Sequence, residues 1–323
     1  MKKNIFQEKN ILITGINGFV GSHLARALEE KGAKVWGISR SVKKGNIIKA
    51  NIIDYSKINE IIEEKKIVMC FHLAAESLVE SGQEDPYHTF KTNIIGTINI
   101  LEAARKNNLE RVIIASSSHV YGDNPLPYKE DYPPKPSRPY ETSKTSIDLI
   151  AQSYADTFGL PVLISRFSNI YGPGDFNFNR LIPKTIKSAL SDENPQMWGG
   201  GAVRDYIYID DAVDGYLKLA VLPISSLEKN RIFNFGTGAR MSVRQVMDAI
   251  ISTSGKKLKI EKIEDSRALE IKKQYVSSAK ARRILHWRPK VSMEQGLVKT
   301  IAWYQNILQT EQPGIKSKKL VKL

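Results

Sequence analysis

The fold of this chain is decided by one stretch near its N-terminus, ILITGINGFVGSHL at residues 11–24. The stretch opens with three apolar residues, which predict a buried strand of a parallel sheet. Three glycines follow at Gly15, Gly18 and Gly21, and an amphipathic run begins at Ser22. The pattern therefore predicts a strand, a tight glycine-rich turn and a helix.

Each glycine has its own role in such a turn. Gly15 permits the sharp turn, and Gly18 removes a side chain where a pyrophosphate must approach backbone N–H groups. Gly21 lets the helix pack closely on the strand, while the helix N-terminus offers N–H donors and a partial positive charge. A glycine triad alone is a weak signal, for which a bare tight turn is the alternative, but its place between strand and helix favours a dinucleotide site. The predicted contacts are Gly15, Asn17, Gly18, Phe19, Val20 and Gly21.

The bulk composition is that of an ordinary globular protein. At 323 residues the chain can form one large domain or two smaller ones, with ample apolar content for a core. Its single cysteine, Cys70, lies within an apolar run, which excludes a disulfide framework and a cysteine-based metal site, and no metal ligands are predicted. Because no signal peptide and no run of about 18 apolar residues occur, we expect a cytoplasmic protein without a membrane partner.

The net charge of +14 raises the alternative of nucleic-acid binding. The basic residues are spread along the chain, however, and no known nucleic-acid-binding motif frames them. The densest group lies in residues 311–323, which we expect to form a flexible basic tail. A positive field also suits an anionic small substrate, so no nucleic-acid partner is predicted.

Strands alternate with helices through the first half of the chain, which indicates a parallel, doubly wound sheet of the α/β class. The predicted strands after the first lie at residues 34–39, 51–54, 68–73 and 111–115. The first helix is predicted to end before Gly32, and the later helices lie at residues 55–65 and 86–106.

The strand ends also bear on the choice of cofactor. An acidic residue at the end of the second strand would bind the adenosine ribose of NAD and repel the 2′-phosphate of NADP. This chain has Ser39 and Arg40 there, which suit a phosphate and favour NADP, with a solvated loop as the alternative. Asp54 at the end of the third strand is predicted to reach the adenine edge. The small residues Ala74 and Ala75 would let a flat cofactor lie against the backbone.

The residues that carry chemistry follow the fifth strand. Residues 116–122 read SSSHVYG, and Tyr140 and Lys144 come after a proline-rich loop. Tyrosine and lysine four residues apart lie on one face of a helix, and the ammonium group would lower the pKa of the phenol towards neutrality. Tyr140 would then be a general base that takes a proton from a substrate hydroxyl while hydride leaves for nicotinamide. The alternative is an ordinary helical pair, because YxxxK arises by chance in many proteins.

Glycine triad, serine run and YxxxK occur in the order typical of one family. With the later segments RFSNIYGPG (166–174), RDYIYIDD (204–211) and NFGTG (234–238), the chain resembles the extended short-chain dehydrogenase/reductases. Within them it is similar to the nucleotide-sugar epimerases and 4,6-dehydratases over about residues 10–305. The resemblance implies a Rossmann-type, NAD(P)-binding sheet at residues 1–170, to which the chain returns at about 205–236. It also implies a smaller mixed C-terminal substrate lobe at residues 171–204 and 237–310.

The resemblance further implies roles for single residues. Ser117, or a neighbouring serine, would hydrogen-bond the sugar 4-hydroxyl, Tyr140 would be the base, and Lys144 would hold the nicotinamide ribose. The implied substrate contacts are Ser118, Asn169, Arg180, Arg204 and Arg267, with Arg204 on the diphosphate. The segment after Arg267 departs from the family pattern, because Ala-Leu-Glu stands where Pro-Gly-Asp is common. Asn93 would contact the cofactor, and the helices at 86–106 and 140–158 would form the four-helix interface of a homodimer.

Family members share oxidation at sugar C4 and differ in the steps that follow. Dehydratases usually carry an Asp-Glu, Ser-Glu or Asp-Lys pair before Val-Tyr-Gly, where this chain has Ser118 and His119, so we predict a nucleotide-sugar epimerase. A 4,6-dehydratase is the first alternative, because histidine titrates near neutrality and His119 could remove the C5 proton. The segment FNFNRLIP (176–183) is also similar to CDP-glucose 4,6-dehydratase-like proteins. A packing role for His119, an NADPH-dependent 4-keto-sugar reductase and a non-catalytic cofactor-binding scaffold stay open.

Overall fold

The computed structural model describes residues 4–199, 201–227, 230–263 and 271–310. The strands in these residues are β1 Asn10–Thr14, β2 Lys34–Ser39, β3 Ile47–Lys49, β4 Met69–His72, β5 Arg111–Ala115, β6 Val162–Phe167, β7 Asn169–Tyr171, β8 Gln196–Trp198, β9 Val203–Arg204, β10 Tyr206–Tyr208, β11 Ile232–Phe235, β12 Met241–Ser242, β13 Glu261–Ile263 and β14 Lys273–Gln274. The α-helices are α1 Phe19–Glu29, α2 Tyr55–Glu64, α3 Val79–Glu84, α4 Pro86–Phe90, α5 Gly96–Lys106, α6 Pro139–Phe158, α7 Leu181–Leu190, α8 Ile209–Ala220, α9 Val243–Thr253, α10 Ala279–Ile284 and α11 Met293–Thr310. Among these described helices, none is both long enough and apolar enough to cross a bilayer.

In the described part of the chain seven strands form one sheet in the order β11-β6-β5-β4-β1-β2-β3, and every neighbouring pair is parallel. The doubly wound parallel sheet predicted from the sequence is therefore confirmed. Apolar side chains are buried on both faces, so that Ile11 and Ile13 belong to one core and Leu12 to the other. The strand order reverses between β1 and β4, which opens a crevice at the carboxyl ends of these two strands.

The strand-turn-helix at the N-terminus forms as predicted, although α1 begins earlier than the amphipathic run at Ser22 indicated. Gly18 has an extended backbone, with φ −75° and ψ 169°, and it caps the helix that starts at Phe19. The unpaired N–H groups of the first helical turn therefore lie directly after the glycine turn.

The predicted third strand at residues 51–54 is wrong. The third strand is β3, at Ile47–Lys49, and residues 51–54 form the turn that enters α2. Two short polar side chains form hydrogen bonds with nearby backbone groups and so favour a turn over a strand here. Asn51 Oδ1 accepts from the Ile53 N–H at 3.3 Å, and Asp54 Oδ1 accepts from the Lys57 N–H at 3.1 Å. Asn and Asp favour such turns and helix caps over a strand ladder.

The helix predicted at residues 86–106 forms, but a π-helical turn at Lys91–Ile95 divides it into α4 and α5. Asn93 lies in this wider turn, where its Nδ2 donates to Ser143 Oγ of α6 at 2.9 Å. The π turn thus brings a polar side chain inward between two packed helices.

In the second lobe α7, α9 and α11 pack against one another, and within the described residues three small sheets lie outside the large one. In one of these sheets β9 pairs antiparallel with β12 and parallel with β14, so the lobe has the mixed character that was predicted. The chain returns to the large sheet through α8, which packs on α1, and through β11. The division of the lobes at the predicted residue boundaries stays a prediction.

Candidate active site

A cavity of about 470 Å³ opens at the carboxyl ends of the central strands and is walled by both lobes. A second cavity of about 200 Å³ lies beside it, over the glycine turn, and Ala75 lines both. The smaller cavity is lined by seven of the residues predicted to hold the cofactor, namely Gly15, Asn17, Gly18, Ser39, Arg40, Ala74 and Ala75. Val20 lines the larger cavity, and Phe19 packs edge-on against His23.

Two of the three glycines are required by the backbone around them. Gly15 has a φ of +73°, and a Cβ there would lie 3.0 Å from the backbone nitrogen of Ala74. A Cβ on Gly21 would lie 2.2 Å from the carbonyl oxygen of Gly15. The turn therefore brings β1, α1 and the end of β4 so close together that only backbone fits, which suits a pyrophosphate at the helix N-terminus.

Two charged groups lie at the smaller cavity, Arg40 after β2 and Glu76 after β4. Ser39 Oγ accepts from Asn17 Nδ2 at 3.0 Å and from the N–H groups of Ser41 and Val42, so this hydroxyl orders the loop. Arg40 Nη2 lies 3.4 Å from Glu76 Oε1. Sequence reasoning missed Glu76, because it follows β4 and not β2. The predicted phosphate site thus has a carboxylate beside its guanidinium.

Two predicted cofactor ligands are not at the cleft. Asp54 does not line either cavity, because its carboxylate caps α2. The Asn93 side chain is buried, and it exchanges hydrogen bonds with the backbone of Glu76, at 2.8 Å to N and 3.0 Å to O. Asn93 fixes the loop after β4 and ties it to α6, so its contribution to the site is indirect.

Ser117, Tyr140 and Lys144 all line the larger cavity. Ser117 shares a hydrogen bond with the Tyr140 hydroxyl, and Lys144 Nζ donates to the carbonyl oxygen of Ala115 at 2.8 Å. The neighbouring serines are used elsewhere: Ser116 Oγ donates to Asp148 Oδ2 at 2.9 Å, and Ser118 is buried outside the residues that line the cavities. Among the three serines, the geometry favours Ser117 as the partner of Tyr140.

The electrostatics of this trio differ from the sequence prediction. Burial raises the pKa of Tyr140, and the hydrogen bond from Ser117 opposes this rise without reversing it. Burial also lowers the pKa of Lys144 to about 8. The predicted lowering of the Tyr140 pKa by Lys144 is wrong for the protein alone, because desolvation outweighs the nearby charges and the ammonium is directed at Ala115.

His119 also lines the larger cavity, on the 3₁₀ turn that follows β5. Its ring stands edge-on to Tyr140, with the centroids 5.8 Å apart, and its Nδ1 lies 3.6 Å from Glu141 Oε1. Glu141 is fully buried, and sequence reasoning missed it. The available signal was its position three residues after the helix N-cap Arg138, where glutamate completes a capping box.

The substrate side of the cavity carries the predicted Asn169, Arg180 and Arg204. Arg180 Nη1 lies 3.1 Å from Asp175 Oδ2, and its Nη2 donates to Ser77 Oγ at 3.4 Å, so this side chain links the two lobes across the cleft. Arg204 Nη1 donates to the Val203 carbonyl at 3.0 Å. Trp198, which was not predicted, also lines this wall, whereas Arg267 lies outside the described residues.

Residues 11–236 match the model of the NAD dependent epimerase/dehydratase family. The chain belongs to this family. The resemblance seen in the glycine turn, the serine run and the Tyr-Lys pair is thereby confirmed, and with it the class of enzyme. Family membership also gives a nicotinamide dinucleotide as the cofactor, which fits the glycine turn and the small residues at the end of β4.

Relatives in this epimerase/dehydratase family match nearly the whole chain. UDP-N-acetyl-alpha-D-glucosaminuronate decarboxylase of Bacillus cytotoxicus is 33% identical, over 93% of this chain and 99% of its own. UDP-glucuronate 4-epimerase of Thermodesulfobacterium geofontis is 28% identical, over 90% and 95%. The solved structure of UDP-glucose 4-epimerase from Thermotoga maritima with UDP-glucose superposes with a TM-score of 0.87 at 29% identity, over 93% of this chain and 99% of the other.

Proposed function

We propose that this chain is an NAD(P)-dependent nucleotide-sugar epimerase that works through transient oxidation at sugar C4. The observation that carries the proposal is the meeting of Ser117, Tyr140 and Lys144 in a cavity that adjoins the smaller cavity over the glycine turn. Tyr140 would take the proton of the C4 hydroxyl as hydride leaves C4 for the nicotinamide ring. Return of the hydride to the other face of the 4-keto sugar, with the proton returned by Tyr140, would give the epimer.

Ser117 and Lys144 have different roles around Tyr140. Ser117 would hold the C4 oxygen in line with the phenol, and Lys144 would stabilise the phenolate. Burial alone keeps the pKa of Tyr140 raised, so the base needs positive charge close by. The bound cofactor supplies the hydride acceptor and, in its oxidised form, a cationic ring.

The substrate class follows from the opposite wall of the cavity. Arg180 and Arg204 place two guanidinium groups there, and guanidinium pairs well with phosphate oxygens. Trp198 is partly exposed beside them and offers a flat face on which a nucleobase can stack. Relatives named above act on UDP-sugars, which supports a nucleoside-diphosphate sugar here.

We also propose NADP as the preferred cofactor. The support is the absence of a carboxylate at the end of β2 and the presence of Arg40, whose side chain is 63% exposed at the smaller cavity. Glu76 opposes this preference, because its carboxylate lies beside the same guanidinium. A cytoplasmic location likewise stays a proposal, supported by the single, buried thiol of Cys70.

We further propose a homodimer formed through α4, α5 and α6. Large apolar side chains are exposed along these helices, among them Tyr87 on α4, Ile95 in the π-helical turn and Leu149 on α6. Such a group of apolar residues on neighbouring helices is typical of a helix–helix interface. A second copy of the same face would complete a bundle of four long helices.

A second candidate function is a nucleotide-sugar 4,6-dehydratase. One observation favours it, namely that His119 lies beside Tyr140 with a buried carboxylate behind it. A dehydratase must remove the C5 proton and protonate the departing C6 hydroxyl, and a histidine in this place could take part in both transfers.

The deciding experiment follows the products formed from UDP-, GDP-, CDP- and dTDP-hexoses with NAD or NADP, by mass spectrometry and NMR. An isomer of unchanged mass supports the epimerase, whereas a 4-keto product that lacks one water supports the dehydratase. Tyr140→Phe is the matched control, since it removes only the hydroxyl and should lower either activity by about 100-fold or more. Binding of these sugars without any turnover would contradict both functions and favour the scaffold.

A further inference from the structure

One face of α6 carries a third polar residue besides Tyr140 and Lys144. Asp148 follows them at the same interval of four residues, so the three side chains lie on one face of the helix. Each of the three is hydrogen-bonded to a different residue of 115–117, at the end of β5. The partner of Asp148 is Ser116, whose Oγ donates to Asp148 Oδ2 at 2.9 Å. The proposed reaction uses the other two residues of this face and gives Asp148 no role.

The Asp148 carboxylate is fully buried, and both of its oxygens are paired. Oδ2 accepts from Ser116 and from Arg166 Nε at 2.8 Å, and Oδ1 accepts from Arg166 Nη2 and Gln152 Nε2, each at 3.0 Å. Arg166 lies on β6 and is buried as well. A buried ion pair gives little net stability compared with apolar side chains of similar volume, so stability is a weak explanation for this one.

The Arg166 guanidinium also contacts Tyr121, the last residue of the 3₁₀ turn that follows Ser117. Its Cζ lies 4.8 Å from the centre of the Tyr121 ring, which is a cation–π distance. The Tyr121 hydroxyl donates to Asn234 Oδ1 on β11 at 2.7 Å, so the far end of the ring is fixed too. Residues 116–121 are therefore in contact with the same ion pair at both ends.

The ion pair joins residues 116–121 to the helix that carries the base. Ser117 lies between the two anchored ends, and Tyr140 lies on α6 with Asp148. In the described part of the chain neither Asp148 nor Arg166 lines a cavity at the site. Any effect of the ion pair on the reaction is therefore indirect and acts through the placement of Ser117 against Tyr140.

We propose that Asp148 and Arg166 are positioning residues, whose buried ion pair fixes residues 116–121 on α6 so that the Ser117 hydroxyl stays within hydrogen-bond distance of Tyr140. The inference rests on the proposed function, in which Ser117 holds the C4 oxygen in line with the phenol. A displacement of about 1 Å between reacting groups can slow a reaction about 100-fold. The pairing of both Asp148 oxygens limits such a displacement before the sugar binds.

The test replaces the ion pair by apolar side chains, Asp148→Leu with Arg166→Met, so that no charge is left buried and unpaired. Ser116 lines the larger cavity, where water can pair with its freed hydroxyl. We expect the Tm of D148L/R166M to stay within about 5 °C of the wild type, because the exchange is close to neutral for stability. The KM for the nucleotide sugar found by the product panel should stay within about threefold, while cofactor reduction at 340 nm in a single turnover should slow about 100-fold.

Ser116→Ala removes only the link between the ion pair and the start of residues 116–121. It should slow the single turnover about tenfold, with the Tm and the KM close to those of the wild type. Ser146→Ala is the matched control, because the Ser146 hydroxyl donates to the Thr142 carbonyl within α6 at 2.9 Å. This control should leave the single-turnover rate within about twofold of the wild type.

Crystal structures of the wild type and D148L/R166M supply a measurement that needs no turnover. The Ser117 and Tyr140 hydroxyl oxygens should lie more than about 3.5 Å apart in the double variant and within hydrogen-bond distance in the wild type. An unchanged separation would overturn the inference.

The kinetic failures are distinct from a failure of the proposed function. A wild-type single-turnover rate in folded D148L/R166M, or in S116A, would overturn the inference and leave the C4 oxidation intact. If the double variant does not fold, the rate of S116A relative to S146A decides the matter. Absence of cofactor reduction by the wild type with every sugar would refute the C4 oxidation, and the two crystal structures would then decide whether the ion pair places Ser117.

Discussion

The ammonium nitrogen of Lys144 lies 2.8 Å from the carbonyl oxygen of Ala115, the last residue of β5. This bond joins α6, which carries Tyr140, to the strand end that carries Ser117. It also holds a positive charge in a buried place, where the charge lowers the stability of the fold, while in the proposed reaction it would stabilise the Tyr140 phenolate. The two effects can be separated by substitution.

Lys144→Met should raise the free energy of unfolding by about 2 kcal/mol at pH 7, since relief of desolvation outweighs one lost hydrogen bond, while activity falls. Burial lowers the pKa of Lys144 from 10.5 to about 8. Below pH 8 the lysine is protonated in both folded and unfolded states, so the cost of its burial is fully present. Above pH 8 the folded state loses its proton first, so the wild type gains stability until about pH 10.5.

Urea unfolding of both proteins between pH 7 and 10.5 checks this prediction. The stability difference between K144M and wild type should shrink steadily over this range. A constant difference would mean that burial does not shift the pKa of Lys144, so that the lysine stays protonated in both states over this range, and would contradict the predicted cost of burying its charge.

Local sequence patterns were sufficient for much of the sheet. The bounds of β2 and β5 agree with those predicted, because each is a short apolar run that begins and ends at polar or glycine-rich turns. Where short polar side chains competed with the strand ladder, as at Asn51 and Asp54, the pattern failed. An apolar pair between two such residues is then part of a turn and not of a strand.

Contacts between distant segments could not be predicted from the sequence. Arg40 follows β2 and Glu76 follows β4, and these two strands lie on either side of β1 with their carboxyl ends at the same edge of the sheet. No spacing along the chain indicates that the two side chains come into contact. His119 and Glu141 meet because the chain after β5 packs on the start of α6. The residue types at the strand ends were enough to locate the site. The carboxylates that pair with Arg40 and His119 could be identified only from the tertiary structure.

Arg180→Ala should raise the KM for the nucleotide sugar about tenfold and change kcat less than about threefold, because an ion pair made in both ground and transition states affects binding alone. Arg180 also pairs with the buried Asp175 and reaches Ser77 across the cleft, so some stability will be lost. Steady-state kinetics with the substrate found by the product panel provide the measurement.

The control for Arg180 is Arg244→Ala. Arg244 is exposed on α9 and pairs only loosely with Asp248, at 3.6 Å, so its loss changes the net charge equally without touching the cavity. An equal rise in KM for both variants would show that the effect is one of overall charge and would contradict a direct contact.

The charges of Arg40 and Glu76 should set the choice between NAD and NADP. Arg40→Ala should raise the KM for NADP about tenfold and leave that for NAD within about threefold, because only NADP carries a 2′-phosphate. Glu76→Gln should act in the opposite direction, since it frees the guanidinium and removes a repulsive carboxylate. The measurement is the ratio of kcat/KM for the two cofactors in each variant. A ratio that neither variant changes would contradict the proposed preference for NADP.

Leu149→Arg should convert the proposed dimer into a monomer. Leu149 is 53% exposed on α6, and an arginine there would bring a second arginine close to itself across a two-fold axis in an apolar contact. Val298→Arg is the matched control, because Val298 is 54% exposed on α11, on the other lobe. Light scattering after size exclusion should give half the wild-type mass for L149R and the full mass for V298R. Equal masses for the wild type and both variants would contradict the proposed interface. The subunits would then make contact elsewhere, or the protein would be a monomer, and a second copy of the chain would not explain why Leu149 is an exposed apolar residue.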